Sequence, residues 1–233
     1  MSARQRRQIE LVAIDLDGTL LDSVGDLHAA VNIMQHSVGH TPASLEQVEG
    51  WIGNGVERLV HRALTGSMSE DAADALFRAA LTEFKRAYHE VNGRYVTVYP
   101  GVVDGLEWLH SKGLTISVVT NKSREFTVPL LEKTAIAGYF SHIVCGDDVQ
   151  HKKPAPDSLL LSAEQAKAHP TACLMVGDSI NDFIAARNAG FTLVGVSYGY
   201  NHGIALNQLT GNERPDFNID SFTELPAVVR KLT

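Results

Sequence analysis

Two carboxylates stand two residues apart where an apolar run stops. Leu11-Val12-Ala13-Ile14 is followed by Asp15, Leu16, Asp17, Gly18 and Thr19. Apolar runs this short suit a strand buried on both faces. The period of two in an extended chain aims Asp15 and Asp17 the same way. Carboxylates are seldom buried without a partner, so two at a strand end need a reason. Gly18 lets the backbone leave the strand at angles other residues resist. A polar turn is the plain alternative. A D-x-D-G-T string arises by chance in a chain this long only on the order of once in a thousand sequences.

Three further stretches share this character. The β-rich run 114–119 ends at Thr120-Asn121. The run 173–176 ends at Gly177-Asp178-Ser179, with Asn181 and Asp182 just beyond. Lys152-Lys153-Pro154-Ala155-Pro156-Asp157 precedes a helical pattern. Each alone reads as a turn, a solvated loop or a helix cap. In open α/β sheets, however, ligands gather beyond the carboxyl ends of strands. Four such stretches, each at a predicted strand end or helix start, point to one shared site.

The elements that must position these residues follow from periodicity. Helical spacing is expected over 24–38, with Asp22 or Ser23 as cap. Ser44 and Gln47 fit a capping box for a short helix. Residues 50–55 read as a glycine-rich turn, 56–64 as a helix and 69–91 as a long helix. No strand pattern of comparable strength interrupts 24–95. From Tyr99 strands and helices alternate. Helices are expected at 102–111, 123–133 (with Pro129 an awkward interior residue), 156–168, 180–189 and 222–231. Strands are expected at 114–119, 142–145, 173–176, 191–196 and 217–219. The expected fold class is α/β: a Rossmann-like parallel sheet core with an inserted all-helical cap domain after the first strand. The expected domains are residues 1–22 and 97–233 for the core and 23–96 for the cap, with hinges near Asp22 and near 95–100.

The four stretches resemble the four motifs of the haloacid dehalogenase superfamily, most of whose members are phosphatases. The matches are DLDGT, the Thr120-Asn121 pair, Lys153 in KKPAPD, and GDSIND. The resemblance implies that Asp15 is the nucleophile and that Asp17 is the acid for the leaving alcohol, then the base for water. It implies that Thr120 and Asn121 hydrogen-bond the transferring phosphoryl group and that Lys153 neutralises it. It implies Mg²⁺ held by the Asp15 carboxylate, the Asp17 backbone carbonyl and Asp178, with Asp182 ordering a metal-bound water. Oxygen-only ligands favour Mg²⁺ over zinc. Asp17 argues against dehalogenation, because halide leaves without a proton.

A helical block between hinges implies a cap that excludes water and selects the leaving group. Three further segments carry a finer likeness within the superfamily, to the bacterial phosphoglycolate phosphatases: 51–55, 145–150 and 198–203. The implied reaction is Mg²⁺-dependent phosphomonoester hydrolysis, with 2-phosphoglycolate as the favoured substrate. Alternatives are another small sugar phosphate or a nucleotide, a phosphomutase, and a non-catalytic phosphate-sensing module. For a substrate carboxylate the candidates are Lys122, Arg58 and the N–H groups around Gly53, Asn54 and Gly55 at a helix start. Arg58 has a solvated helix face as its plain alternative. Trp51 reads as a pocket wall or a buried cap residue.

Composition bounds the partners. Hydrophobic residues make up 44% and charged residues 20% of 233, an ordinary globular balance. A net charge of −7 disfavours nucleic acid as the main ligand. The expected partner is a small phosphorylated metabolite, with no membrane and with monomer or homodimer left open. Cys145 and Cys173, the only cysteines, sit in apolar runs and read as buried free thiols. The basic start MSARQRRQIE precedes no long apolar segment, which argues against a signal peptide. A reducing compartment, the cytoplasm, is the expectation.

Overall fold

The protein is described by a computed structural model covering residues 9–201 and 204–233. Most of the basic start, and His202 and Gly203 of the 198–203 segment, lie outside the described residues. The chain opens with β1 (Leu11–Ile14), then β2 (Leu21–Asp22). Four helices follow: α1 (Val24–Ser37), α2 (Leu45–Trp51), α3 (Val56–Thr65) and α4 (Asp74–Val91). After β3 (Thr97–Val98) come α5 (Val102–Ser111), β4 (Thr115–Val119), α6 (Arg124–Lys133) and β5 (His142–Val144). The rest is α7 (Asp157–Ala166), β6 (Cys173–Gly177), α8 (Ile180–Ala189), β7 (Thr192–Val196), β8 (Phe217–Ile219) and α9 (Leu225–Leu232).

Six strands form one parallel sheet in the order β5-β4-β1-β6-β7-β8. All four residues of the central strand β1 are buried. Its alternate residues serve different layers. Val12 and Ile14 pack with Leu106 of α5, Leu130 of α6 and Val228 of α9. Leu11 and Ala13 pack with Leu159 of α7 and Phe183 of α8. Helices therefore cover both faces, as a continuously apolar parallel strand requires. The expected α/β class and parallel sheet hold. Both cysteines are buried free thiols.

Helices α1–α4 pack around their own apolar cluster, which includes Val31, Met34, Val60, Phe84 and Tyr88. No helix among the described residues is long and apolar enough to cross a membrane. The Ser44–Gln47 capping box forms in both directions. Several boundaries differ from expectation. Gly50 and Trp51 belong to α2, so the turn is confined to 52–55. The long helix starts at Asp74, five residues later than periodicity suggests, because the backbone at Ala73 is still non-helical, with ψ 136°. Pro129 sits inside α6 without ending it.

The connections to the helical block are braced in a way periodicity does not reveal. β2 and β3 pair antiparallel, Leu21 opposite Val98, and tie the two linkers together. Asp26, in the first turn of α1, is fully buried. Its carboxylate accepts from the backbone N–H groups of Gly93 (2.5 Å), Arg94 (3.1 Å) and Tyr95 (2.7 Å). An amide there would turn an N–H₂ toward donors. Asp26→Asn is expected to cost about 2–4 kcal/mol of stability. Thermal unfolding measures it; a melting temperature unchanged within a degree would contradict the bracing role.

Candidate active site

The carboxyl ends of β1, β4 and β6 converge, and the cavity between them and the helical block is lined by residues from both. Asp15, Asp17, Thr120, Asn121, Lys122, Lys153, Asp178 and Asp182 all line it. Asp15 follows β1 directly, and its N–H donates to the Val176 carbonyl of β6. The chain then folds into a tight turn that brings the N–H of Gly18 onto the Leu21 carbonyl. Gly18 has φ +87°, and a Cβ there would collide with the Asp178 carboxylate. A Cβ on Gly199 would collide with the same residue and with the Gly18 carbonyl. Two backbone segments thus approach Asp178 as closely as only glycine allows.

Lys153 organises the charges. Its ammonium, 3% exposed as a residue, donates to Asp15 Oδ1 (2.7 Å), Asp182 Oδ1 (2.6 Å) and the Val119 carbonyl (2.7 Å). Burial opposes its charge, but Asp15 and Asp182 outweigh burial and raise its pKa above the usual lysine range. Asp182 Oδ2 accepts from the Ser179 N–H and hydroxyl, closing the first turn of α8. Asp178 accepts from the Thr19 hydroxyl (3.0 Å) and the Tyr200 N–H (2.8 Å). Burial, then Asp182, pushes its carboxyl up to about 7. Burial, then Asp182, also raises the pKa of Asp15 well above the carboxylate range, against the pull of Lys153.

These shifts describe a site with more negative charge than its own cations balance. Asp15, Asp178 and Asp182 each place an oxygen within 4.8 Å of the others. Three buried carboxylates face one buried ammonium, so the set fits a hard divalent cation on oxygen ligands. Asp182 is the least available, since its oxygens already take three donors, one of them the Lys153 ammonium. Asp15 Oδ2, by contrast, carries no hydrogen bond among the described residues, and Asp15 retains some exposure.

The remaining expected residues divide. Thr120 is on the cavity, and its hydroxyl accepts from the Lys122 N–H. The Asn121 side chain is committed elsewhere: it accepts from the Lys153 N–H and donates to the Lys153 and Gly53 carbonyls. It positions the lysine loop and docks the turn 52–55. The Lys122 ammonium binds both oxygens of Asp17, each at 2.9 Å. Gly53 and Gly55 line the cavity. Asn54 instead bonds Arg62 and Asn181. Arg58 is not brought to the site. Its guanidinium bonds Asp71 and the Met68 and Glu70 carbonyls within the helical block. Trp51 is buried in that block's core.

Sequence reasoning missed four contributors. Ser23, expected only as a cap, donates its hydroxyl to Asp17 Oδ1 at 2.5 Å. Thr19 holds Asp178. Asn181 donates to the Gly53 carbonyl. Tyr200 lines the cavity, and its hydroxyl accepts from the Ser23 N–H. Thr19 had a signal, since it continues the alternation of Asp15 and Asp17; Tyr200 had one only in the likeness of segment 198–203.

The profile of the haloacid dehalogenase-like hydrolases matches residues 12–196, which spans all of these positions but Gly199 and Tyr200. The chain belongs to that family. It is a hydrolase, and its similar proteins bear phosphatase names. A phosphoglycolate phosphatase of Nitrosococcus oceani is 42% identical, over 94% of this chain and 96% of that protein. One from Vibrio parahaemolyticus is 41% identical, over 96% of this chain and 97% of that protein. A crystal structure of a phosphoglycolate phosphatase, so assigned, from Haemophilus somnus superposes with a TM-score of 0.88 at 32% identity, covering 95% of this chain and 98% of that one.

Proposed function

We propose that the chain is a Mg²⁺-dependent phosphomonoester hydrolase acting on 2-phosphoglycolate through an aspartyl phosphate at Asp15. One observation carries the reading. Asp15 has one oxygen fixed by Lys153 and the other without a hydrogen bond among the described residues, in a cavity that Asp17 and Thr120 also line. The names of its relatives supply the substrate.

Asp15 Oδ2 attacks phosphorus as the bond to the leaving oxygen breaks. Asp17 gives that oxygen a proton, and glycolate leaves. Asp17, now a carboxylate, takes a proton from water. The water oxygen bonds to phosphorus, the Asp15–phosphorus bond breaks, and phosphate is released. Lys153 holds Asp15 in place and offers positive charge to the phosphoryl oxygens. Residues 23–96 act as the cap, whose Leu27, Ile52, Val56 and Leu59 give the cavity apolar walls and keep out bulk water.

Charge explains the need for a cation. Two unit charges ~4 Å apart repel by about 4 kcal/mol at an effective dielectric of 20. At about 1.4 kcal/mol per tenfold, that is roughly three powers of ten in rate. Asp15, Asp178 and the Asp17 carbonyl would hold Mg²⁺, with Asp182 behind them. When bound, it supplies neutralisation of the phosphoryl oxygens that one lysine leaves incomplete.

A panel of phosphorylated metabolites, with Mg²⁺ and with chelator, tests the reading. The highest kcat/KM is expected for 2-phosphoglycolate, and chelator should abolish turnover. A sugar phosphate or nucleotide at the top would overturn the substrate; turnover undiminished by chelator would overturn the metal. Binding has its own readout. At Mg²⁺ ~100 times its Kd, stability should rise by about 2.7 kcal/mol. Loss of that rise in Asp178→Asn supports the assigned ligand, and its retention contradicts it.

A further inference from the structure

Among the described residues, the cavity is lined by two cations, Lys122 and Lys153. Lys153 is bound up with Asp15 and Asp182. That leaves Lys122, whose charge currently serves Asp17. Its side chain is 4% exposed, and its ammonium meets both Asp17 oxygens at 2.9 Å. The Tyr88 ring covers another side, with its centroid 5.1 Å from the nitrogen. An ammonium has three hydrogens. Two lie on Asp17 and the third faces the ring, so none is left over for a ligand while that pair is intact.

Asp17 is equally committed. Besides Lys122, it takes the Ser23 hydroxyl. A group that must reach the leaving oxygen is here held by an ammonium and a hydroxyl. One event can release it: an anion on the leaving group that competes for the ammonium. The apolar side chains of the cap wall offer such an anion no charge, and Arg58 is spent on Asp71.

We propose that Lys122 is a shared cation that selects phosphomonoesters carrying a carboxylate on the leaving group. With no substrate it holds Asp17. When substrate enters, the carboxylate draws the ammonium off at least one Asp17 oxygen, and that oxygen becomes free to take up a proton from solvent and carry it to the leaving oxygen. Recognition of the carboxylate and release of the acid are then one exchange of partners. Esters without a carboxylate bind with Asp17 still held, and react slowly. This rests on the proposed hydrolysis with Asp17 as the acid, and adds the residue that reads the substrate.

The test compares 2-phosphoglycolate with isobutyl phosphate, nearly isosteric and lacking the carboxylate. The quantity read is the ratio of their kcat/KM values. Lys122→Met should lower that ratio at least about 100-fold, the scale for removing one partner of a buried charge pair; Lys122→Arg should recover part of it. Ser23→Ala is the control, because Ser23 binds Asp17 but has no charge to lend. It should slow both substrates and leave the ratio within about threefold. Circular dichroism and thermal unfolding establish that each variant is folded. Should Lys122→Met prove unfolded, Lys122→Arg and Lys122→Gln carry the comparison, and inhibition by glycolate must weaken in Lys122→Gln. A ratio unmoved by the Lys122 changes overturns the proposal. So does an equal fall in Ser23→Ala, which would mean that Lys122 acts only by placing Asp17. Wild type with no preference between the two esters would instead overturn the 2-phosphoglycolate reading itself.

Discussion

Asp15→Asn is expected to remove turnover while leaving the protein standing. The attacking oxygen is replaced by an amide nitrogen or by an amide oxygen of little nucleophilicity. Loss of a nucleophile that forms a covalent intermediate typically costs at least about 10⁴-fold in kcat. Stability should move the other way or not at all. The Asp15 carboxyl has a raised pKa because burial and Asp182 disfavour its charge more than Lys153 favours it. A neutral side chain of the same shape relieves that imbalance. Steady-state kinetics and thermal unfolding check the pair of outcomes. Activity within tenfold of wild type would refute the nucleophile. A severe loss of stability would refute the charge reading.

Lys153→Met is expected to lose both. The methionine fills much of the space but leaves Asp15 and Asp182 facing each other without the ammonium that joins them at 2.7 and 2.6 Å. Breaking a buried ion pair by removing one partner costs about 3–5 kcal/mol. The Val119 carbonyl also loses its donor. Turnover should fall by at least about 10³-fold, because the nucleophile is misplaced and the phosphoryl charge is less balanced. Mg²⁺ should restore part of the stability and little of the activity. A variant as stable as wild type would show that Lys153 is not the keystone of the cluster. The contrast between this change and Asp15→Asn is itself diagnostic. Both empty the same ion pair, yet only one leaves carboxylates stranded.

The strand ends were legible because burial leaves few reasons for acid there. Asp15, Thr120 and Asp178 each follow a run of buried apolar residues, and a parallel sheet brings such ends to one edge. Lys153 was legible as a motif, not as geometry; nothing in spacing reveals that it reaches Asp182 as well as Asp15. Partner choice was the harder matter. Lys122 follows the Thr-Asn pair, so a role toward substrate was a fair expectation. Its binding to Asp17 depends on a contact 105 residues apart in sequence. Arg58 looked free because its partner Asp71 lies beyond the end of its helix, in a stretch first read as helical. The ties of the Asn121 side chain to Lys153 and Gly53 likewise join residues distant in sequence. The two-residue strands β2 and β3 carry no pattern long enough to register against background. They matter because they join the linkers at the base of the cap.

The covalent intermediate is the claim on which the rest depends, and Asp17→Asn gives a means to trap it. Acetyl phosphate releases acetate, which needs no proton, so the first step can proceed without Asp17. Attack by water needs a base, so the second step should stall. Acid quench after mixing this variant with ³²P-labelled acetyl phosphate and Mg²⁺ should yield base-labile label on a single peptide, the one containing Asp15, approaching one phosphate per enzyme. Label on any other residue, or release of phosphate with no labelled protein while activity persists, would contradict attack by Asp15.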